Sequence, residues 1–339
     1  MAKTATLKSI AMTLDISVST VSRVLNGKAK QHRIAISTVS RIQKEAHRVG
    51  FQVNQIASAL RLNKTHTIGL VIPDISNSFF SAIARTLAVE ARKQGYSLFL
   101  CDSMGDIELE KEEVRQLKAR NVDGLIVSPV GSNGDHLRDL SAGGMPVVLI
   151  DRYIEGLALA SVGSDNFQGA YDAVSYLIEC GHQHIACLQG RANTTTCAER
   201  LRGYHRALSE HDIKAGSPSI LGSDFSYDSG YESASAILKQ SPEITAFFSM
   251  SNLNALGAMQ AIQEAGKKIP EDISLLTFDD EALFALLATP LTAVAQPKED
   301  IGEQAMNVLI MQIEDGSRRA EKVFLPTTRI ERDSVRMLK

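Results

Sequence analysis

Apolar residues near the N-terminus repeat at the spacing of short helices. Segment 7–14 places them at i, i+3, i+4 and i+7, which predicts a first helix with Thr6 as its N-cap. A second helix is predicted over 18–25, begun by Ser17 and ended by Asn26 with the glycine after it. Two short helices joined by so tight a turn cross steeply, which is the geometry of a helix-turn-helix unit.

A third amphipathic helix is predicted to begin at Ser37 or Thr38 and to end at Gly50. The three helices predict a small all-α headpiece over residues 1–52, whose core is only marginally stable because of its size. The next stretch, 53–65, contains NQIASAL, a run of good helix formers that is too short to hold a helix alone in water. Taken by itself, this segment predicts a linker.

Beyond the linker the pattern changes to short apolar strands that alternate with amphipathic helices. Strands are predicted at 67–73, 97–101, 123–127, 146–150, 184–189, 218–222, 244–249 and 273–278. This alternation predicts parallel sheets covered by helices on both faces. Two similar sets, about 66–160 and 162–290, predict a two-lobed α/β domain over 66–339. The last part, with a helix and a strand at 322–330, is expected to return to the first lobe, which then also includes 292–325.

Polar and aromatic residues follow several of these strands, at the sheet edge where parallel sheets bind ligands. They are Asp74, Asn77, Phe79, Phe80, Asp151, Arg152 and Asp279. Carboxylates and guanidinium groups beside aromatic rings suit a hydroxyl-rich ligand, because charged groups form paired hydrogen bonds and a ring covers an apolar sugar face. Helix capping is at least as good an interpretation for Asp74 and Asp280, and core packing is the alternative for Phe79.

Charge is distributed unevenly along the 339 residues. Residues 1–64 hold eleven Lys or Arg and two acids, a net charge of +9, whereas the remainder holds 25 bases and 37 acids, a net charge of -12. A basic terminal module on an acidic body suits a polyanionic partner, although a solvated basic face would give the same count.

The outer face of the second helix is the surface of this module that can read a DNA sequence. The residues that its apolar stripe leaves outside are Val18, Ser19, Ser22 and Arg23. In a major groove, Arg23 can present its guanidinium group to guanine O6 and N7, while Ser17, Thr20 and Asn26 can donate to phosphates. Thr6, at the start of the first helix, is also expected to contact DNA. An isolated arginine on a helix is usually an ordinary surface residue, but this setting favours DNA contact.

Several other classes of protein fit the sequence poorly. No apolar run reaches 18 residues and the N-terminus is polar, so we expect a cytoplasmic protein with no membrane partner. A transport or chemotaxis receptor could share a two-lobed fold, but it would need a signal peptide and no basic headpiece. Neither GxxxxGK nor GxSxG occurs, so an enzyme is not expected. The four cysteines, Cys101, Cys180, Cys187 and Cys197, lack metal-site spacing and predict buried free thiols, with no metal or cofactor.

The motifs extend over nearly the whole chain. They are TLKSIAMTLDISVSTVSRVLNG, the helix ending RVGF, NQIASALRLNKTHTIGLVIPDISNSFF, DNFQGAYDAVSYLIECGHQHIACLQG, ERLRGYHRAL, ISLLTFDD and PLTAVAQPKEDIGEQA. With them the chain resembles the lactose-repressor and galactose-repressor (LacI/GalR) family of bacterial transcription regulators. The resemblance implies a helix-turn-helix headpiece joined to a periplasmic-binding-protein-like domain.

The resemblance also implies roles for particular residues. It implies that Asn54 to Leu60, within the hinge and linker segment 53–65, folds as a helix only when two copies meet in the minor groove of an operator, where Leu60 wedges between base steps beside Ala57. Asn54 can cap this helix. It places Arg200 and Phe225 in the effector cleft with Asp279, Asp151 and the Phe79 to Phe80 pair. Where the family usually carries an Asn-Asp pair, this chain has Ser251 and Asn252, so the effector can differ from the common free sugar; both residues stay among the expected effector contacts.

Together these observations predict a sequence-specific DNA-binding regulator, a repressor of sugar-utilisation genes. Its partners would be a palindromic double-stranded operator, a sugar or sugar derivative bound between the lobes, and a second copy in a homodimer or a tetramer.

Overall fold

The computed structural model describes residues 6–51, 64–213 and 219–338. The chain divides into two compact units, Met1–Thr65 and His66–Lys339, which we call the headpiece and the body. The expected hinge helix, Asn54 to Leu60, lies outside the described residues.

The headpiece contains three helices, α1 (Leu7–Leu14), α2 (Val18–Leu25) and α3 (Ile36–Arg48). The hydroxyl of Thr6 accepts a hydrogen bond from the Ser9 amide and that of Ser17 accepts one from the Thr20 amide, both at 3.1 Å, so the two expected caps are present. α3 begins at Ile36, one or two residues earlier than predicted, because its first turn carries no side-chain cap that would mark the start.

A small apolar core holds the three helices together. Its buried members are Ile10, Ala11, Val21, Val24, Ile42 and Ala46. Each helix contributes two of them, at i, i+1, i+3 or i+4 spacing, so every helix directs one narrow stripe inward and leaves the remaining faces to solvent.

The body is built on two six-stranded sheets. The strands are β1 (Thr67–Ile72), β2 (Ser97–Asp102), β3 (Gly124–Val127), β4 (Val147–Ile150), β5 (Ala160–Ser164), β6 (Ile185–Leu188), β7 (Ile220–Leu221), β8 (Ala246–Ser249), β9 (Ser274–Phe278), β10 (Thr292–Ala295), β11 (Lys322–Leu325) and β12 (Thr328–Ile330). The first sheet has the order β11-β5-β4-β3-β1-β2 and the second β12-β10-β9-β8-β6-β7. All described pairings are parallel except β10 with β12.

Helices cover both sheets. They are α4 (Ser78–Lys93), α5 (Ile107–Ala119), α6 (Asp135–Ala142), α7 (Asn166–Glu179), α8 (Thr195–Glu210), α9 (Tyr227–Gln240), α10 (Asn252–Glu264) and α11 (Lys298–Asp315), with a short 3-10 helix at Ala282–Leu286. Alternate residues of a strand face opposite layers: Ile68 and Leu70 belong to one core, whereas Val71 belongs to the core on the other side. Strands buried on both faces explain the near-continuous apolar runs.

The assignment of the last elements to the first lobe was partly wrong. β10 pairs with β9 in the second sheet, and the run expected as one strand over 322–330 is two strands, β11 in the first sheet and β12 in the second. Pro326 separates them, since proline has no amide hydrogen to continue a ladder. β5 also joins the first sheet, so the first lobe extends to residue 164. The chain therefore crosses between the lobes three times: after β5, after β10 and after β11.

The four cysteines are buried and free, as expected. No helix in the described ranges is long and apolar enough to cross a bilayer.

The pH dependence of stability should have a contribution from His182. Its side chain is buried, with Nδ1 2.9 Å from the Thr245 hydroxyl and Nε2 without a hydrogen-bond partner among the described residues. Burial lowers the pKa of His182 from 6.5 to about 4. Because folding favours the neutral imidazole, the contribution of His182 to the unfolding free energy is fully present above pH 6.5 and is lost as the pH falls toward 4. His182→Asn should remove roughly 2–3 kcal/mol of the pH dependence of the unfolding free energy of the body, measured with urea at pH 7 and pH 4. The matched control is His184→Asn, at an exposed position, which should keep the pH dependence of the unfolding free energy. A pH dependence in His182→Asn equal to that of the wild-type protein would contradict the assignment.

Candidate functional site

The outward side of α2 carries the residues expected to read DNA. Val18, Ser19 and Arg23 are exposed, while Val21 and Val24 face the headpiece core. Val18 leaves 44% of its surface in solvent, which is unusual for an apolar residue beside a packed core. This surface combines a guanidinium fork, a small hydroxyl and a methyl-bearing contact, which are the groups that read base edges in a major groove.

The remaining polar candidates of the headpiece also have structural tasks. Ser17 Oγ lies 2.8 Å from Thr20 Oγ1 as well as capping α2, and the Asn26 amide donates to the Ser22 carbonyl oxygen at 2.7 Å. Thr6 forms a capping box with Ser9. Helix-capping hydroxyls lie beside free backbone amides at a helix N-terminus, where a phosphate can also bind, so the two interpretations are compatible.

The hinge candidates Asn54, Ala57 and Leu60 lie outside the described residues. Their expected contacts with the minor groove stay a prediction.

Two adjoining cavities lie between the lobes of the body, at the carboxyl ends of the strands. The inner one has a volume of about 40 Å³ and the outer one about 350 Å³. Ten of the eleven expected effector residues line one or both of them, namely Asp74, Asn77, Phe79, Phe80, Asp151, Arg152, Arg200, Phe225, Ser251 and Asp279. The residues expected at strand ends and those expected from the family resemblance, Arg200, Phe225 and Ser251, thus come together from both lobes.

Two aspartates occupy equivalent places in the two lobes. Asp151 follows β4 and Asp279 follows β9, and both have a left-handed backbone, with φ of 62° and 71°. Their amides donate to Val162 and Val294, on the neighbouring strands β5 and β10, at 2.9 and 3.0 Å. Non-glycine residues adopt this conformation at an energetic cost, and such positions cluster at ligand sites. The paired geometry directs one carboxylate from each lobe into the cleft.

Two arginines face these carboxylates. Arg200 donates through Nε to Asn166 Oδ1 at 2.7 Å and through Nη1 to the Met250 carbonyl, and its guanidinium carbon lies 3.8 Å from the centroid of the Phe278 ring. Arg152 is less constrained. Its Nε is 3.4 Å from Asp151 Oδ2 and has no hydrogen-bond partner in the described part of the chain.

Burial controls the ionisation of this cluster. Asp151, Arg152, Arg200 and Asp279 are all buried, each with at most 9% of its residue surface exposed. Burial raises the pKa of Asp151 to about 6, while Arg152 and Arg200 oppose the shift, and it lowers the pKa of both arginines. The Gln296 amide donates to Asp279, but its buried Oε1 has no partner among the described residues. Unpartnered donors and acceptors of this kind are suited to the hydroxyl groups of a ligand.

Aromatic rings form the apolar walls of the cleft. Phe79 and Phe80 are buried and meet edge to face, with centroids 5.1 Å apart. The guanidinium carbon of Arg152 lies 5.7 Å from the centroid of Phe225 and 6.0 Å from that of Phe80. A ligand with one apolar face and hydroxyl groups at its edge matches this arrangement.

Asn252 is the expected effector residue that the structure does not bring to the cleft. It lines neither cavity, and its amide nitrogen lies 3.3 Å from Ser78 Oγ and 3.4 Å from Glu281 Oε1. Ser251 does line the inner cavity, although its hydroxyl also caps α10 by accepting from the Asn254 amide. Both residues were expected from the family resemblance, which places a pair of positions near the cleft but does not show which of the two side chains points into it.

Asp74 and Asp280, for which helix capping was the alternative interpretation, form different contacts. The Asp74 carboxylate accepts from the amide and hydroxyl of Ser76 at 2.8 and 2.6 Å, so it organises the turn as well as lining the outer cavity. Asp280 instead forms a two-bond salt bridge with Arg332, at 2.7 and 3.0 Å.

Sequence reasoning missed several residues of the cleft, among them Thr196 and Gln296 at the inner cavity and Asp102 and Asp224 at the outer one. Arg191, which the sequence offered as a group that would tolerate a phosphorylated sugar, lines the outer cavity. Gln296 directly follows β10, so the strand-end rule would have found it if 292–295 had been treated as a strand of the second sheet. Arg191 also donates to the Gly105 carbonyl of the first lobe at 3.1 Å.

A sequence profile described as "periplasmic binding proteins and sugar binding domain of LacI family" matches residues 65–333. The HTH-type transcriptional repressor PurR of Aliivibrio fischeri (strain MJ11) is 33% identical over 334 residues, which is 98% of each chain. These matches confirm the resemblance found in the sequence.

Two solved structures have the same fold. A putative ribose operon repressor from Burkholderia thailandensis is 34% identical, with a TM-score of 0.73 over 78% of this chain and 98% of its own. The Lac repressor dimer bound to operator and the anti-inducer ONPF is 24% identical, with a TM-score of 0.88 over 98% of this chain and 100% of its own. All three relatives are repressors, so the expectation that the chain is not an enzyme is confirmed. Because the profile covers most of the chain and a full-length repressor shares a third of its residues, this protein belongs to the LacI family of transcriptional repressors.

Proposed function

We propose that this repressor binds one palindromic operator sequence as a homodimer and that a small sugar in the cleft of the body controls its affinity for that operator. The observation that carries the proposal is the cleft itself, which joins two buried carboxylates, two buried guanidinium groups and three phenyl rings from both lobes. The exposed face of α2 supplies the surface that reads the operator. Since it would bind chromosomal DNA, the protein would work in the cytoplasm.

A monosaccharide fits the cleft best among the effectors that we considered. The outer cavity of about 350 Å³ is at the small end of ligand sites, which favours one ring over a larger ligand. The two carboxylate acceptors and the two guanidinium donors suit vicinal hydroxyl groups, each of which can both donate and accept a hydrogen bond. Arg191 at the rim would tolerate a phosphate group on the sugar. A planar base is the competing effector, because phenyl rings line the same cavity and because a relative named PurR shares a third of the sequence.

Effector control would follow from the three crossings between the lobes. A ligand held by residues of both lobes favours their closed arrangement, and the closed and open arrangements would place the two headpieces of a dimer differently. The shift in operator affinity equals the difference in ligand affinity between the two states.

Removing residues 1–61 should separate the two proposed activities. The full chain should enrich a palindromic sequence from a random duplex library at moderate salt, and the truncated chain should enrich none because it lacks α2. Both should bind the same compound when isothermal titration calorimetry is run with pentoses, hexoses, sugar phosphates and purine bases. Failure of the full chain to enrich any sequence, with or without these compounds, would refute the proposed function.

Arg23→Ala should weaken binding to the selected operator by about 1–3 kcal/mol and relax the base preference at one position of each half-site. The reason is the loss of a bidentate contact to a base edge. Fluorescence anisotropy with the selected duplex and its single-base variants measures both effects. The control is Lys44→Ala, an exposed cation on α3 that should leave base preference unchanged. An equal loss on every duplex would assign Arg23 to phosphate contact instead.

Effector affinity should depend on pH through Asp151. The free carboxyl group has a pKa of about 6 because it is buried, and hydroxyl donors of a bound sugar would favour its ionised form. Binding below pH 6 must then expel a proton, so the Kd of the best sugar should rise about tenfold between pH 7 and pH 5. Asp151→Asn should bind more weakly at pH 7 and lose this dependence, whereas Asp74→Asn should keep it. A Kd that is constant from pH 7 to pH 5 in the wild-type protein would argue against direct contact.

A further inference from the structure

Three side chains outside the effector cavities connect the two lobes. Ser78 is the first residue of α4 in the first lobe, while Asn252 begins α10 and Glu281 follows β9 in the second lobe. The Ser78 hydroxyl donates to Glu281 Oε1 at 2.7 Å, and the Asn252 amide lies 3.3 Å from Ser78 Oγ and 3.4 Å from the same Glu281 oxygen. One hydroxyl of the first lobe is thus held between two polar groups of the second.

Glu281 is held in place from another direction as well. Lys298 Nζ lies 3.5 Å from Glu281 Oε1 and donates to the Asp280 carbonyl at 3.0 Å. The side chains of Glu281 and Lys298 are 21% and 18% exposed, so water competes only weakly for their charges. Lys298 begins α11, directly after the second crossing between the lobes. The Glu281 carboxylate therefore contacts both sides of the cleft and the crossing segment.

The position of Ser78 connects this cluster to the effector site. Its neighbours Asn77 and Phe79 line the inner cavity, and Asn77 caps α4 by accepting from the Phe79 amide at 3.0 Å. A bond that holds Ser78 against the second lobe also holds this first turn of α4 over the cavity.

We propose that Ser78, Asn252 and Glu281 form an interlobe latch that positions the first turn of α4 and sets how readily the cleft closes. This role rests on the proposed effector function, since it concerns closure over that site. It also explains the Asn at position 252. An Asp there would place a second carboxylate within 3.4 Å of Glu281, whereas an amide donates to it.

Because the latch bonds form only when the lobes meet, they should change closure and ligand release rather than ligand encounter. A hydrogen bond to an ionised acceptor shifts such an equilibrium by roughly tenfold. Ser78→Ala and Asn252→Ala should each lower the ratio of closed to open molecules by up to about that factor. Asn252→Asp should lower it further, and Glu281→Gln in the Asn252→Asp background should restore part of the loss, because it removes one of the two opposed charges.

The first experiment needs no ligand. Spin labels at Lys118→Cys and Glu232→Cys, exposed positions on the first and second lobes, report the interlobe distance by double electron-electron resonance in the full-length protein. The native cysteines are buried and should not compete for the label. Ser78→Ala and Asn252→Asp should shift the distances toward longer values. The matched control is Ser81→Ala, which removes a hydroxyl from the same helix that donates only to the Ser78 carbonyl within the first lobe.

The second experiment uses D-ribose as the probe, since a related repressor is named for ribose. Stopped-flow measurement should show a dissociation rate up to about tenfold faster in Ser78→Ala and an unchanged association rate. Circular dichroism at each step establishes that the variants are folded. Unchanged distances in both Ser78→Ala and Asn252→Asp would overturn the latch, as would a rise in distance equally large in Ser81→Ala. If D-ribose and the other sugars fail to bind the wild-type protein, the proposed effector is wrong, and the distances still decide whether the latch exists.

Discussion

The burial of four charged side chains where the lobes meet is the constraint on which the body depends. Asp151, Arg152, Arg200 and Asp279 are nearly inaccessible to water, and isolated charges in such a place would each cost several kcal/mol. The opposite charges offset part of that cost, and Arg200 is further satisfied by Asn166 and the face of Phe278. Arg152 Nε and Gln296 Oε1 have no hydrogen-bond partner in the part of the chain that the structure describes. A ligand that supplies the missing partners can therefore stabilise contact between the lobes.

The chain path explains how this local chemistry can act over a distance. The three chain segments that cross between the lobes form a hinge, because together they let the lobes rotate about one axis and restrict their other relative movements. The crossings lie next to the site: Gln296 follows β10 and Lys298 begins α11 two residues later. Gln296, which lines the inner cavity, and Lys298, which contacts Glu281, are thus separated by one residue along the chain. Ligand binding and lobe closure would then be coupled through covalent neighbours, with no extended pathway through the core.

The headpiece follows a different design. Six buried apolar residues form its core within the described residues, so helix caps such as those of Thr6 and Ser17 are important for its stability. Capping by Thr6 and Ser17 serves this purpose and also places hydroxyl groups at helix N-termini, where phosphates bind. In so small a unit most of the described residues lie at the surface, and Val18 and Arg23 are exposed on the outer face of α2.

Local patterns alone determined much of this protein. Helix caps, apolar periodicity and strand runs depend on near neighbours, so the limits of α1 and α2, eight strands of the body, and the polar strand ends were predictable from the sequence. The sheet to which each strand belongs was not predictable from the sequence. β10 and β12 enter the second sheet through pairings with residues far away in the chain, and short apolar strands carry no mark of their partner. The orientation of Asn252 toward Ser78 was likewise decided by the tertiary structure, because only the approach of the lobes brings a hydroxyl and a carboxylate within reach of its amide.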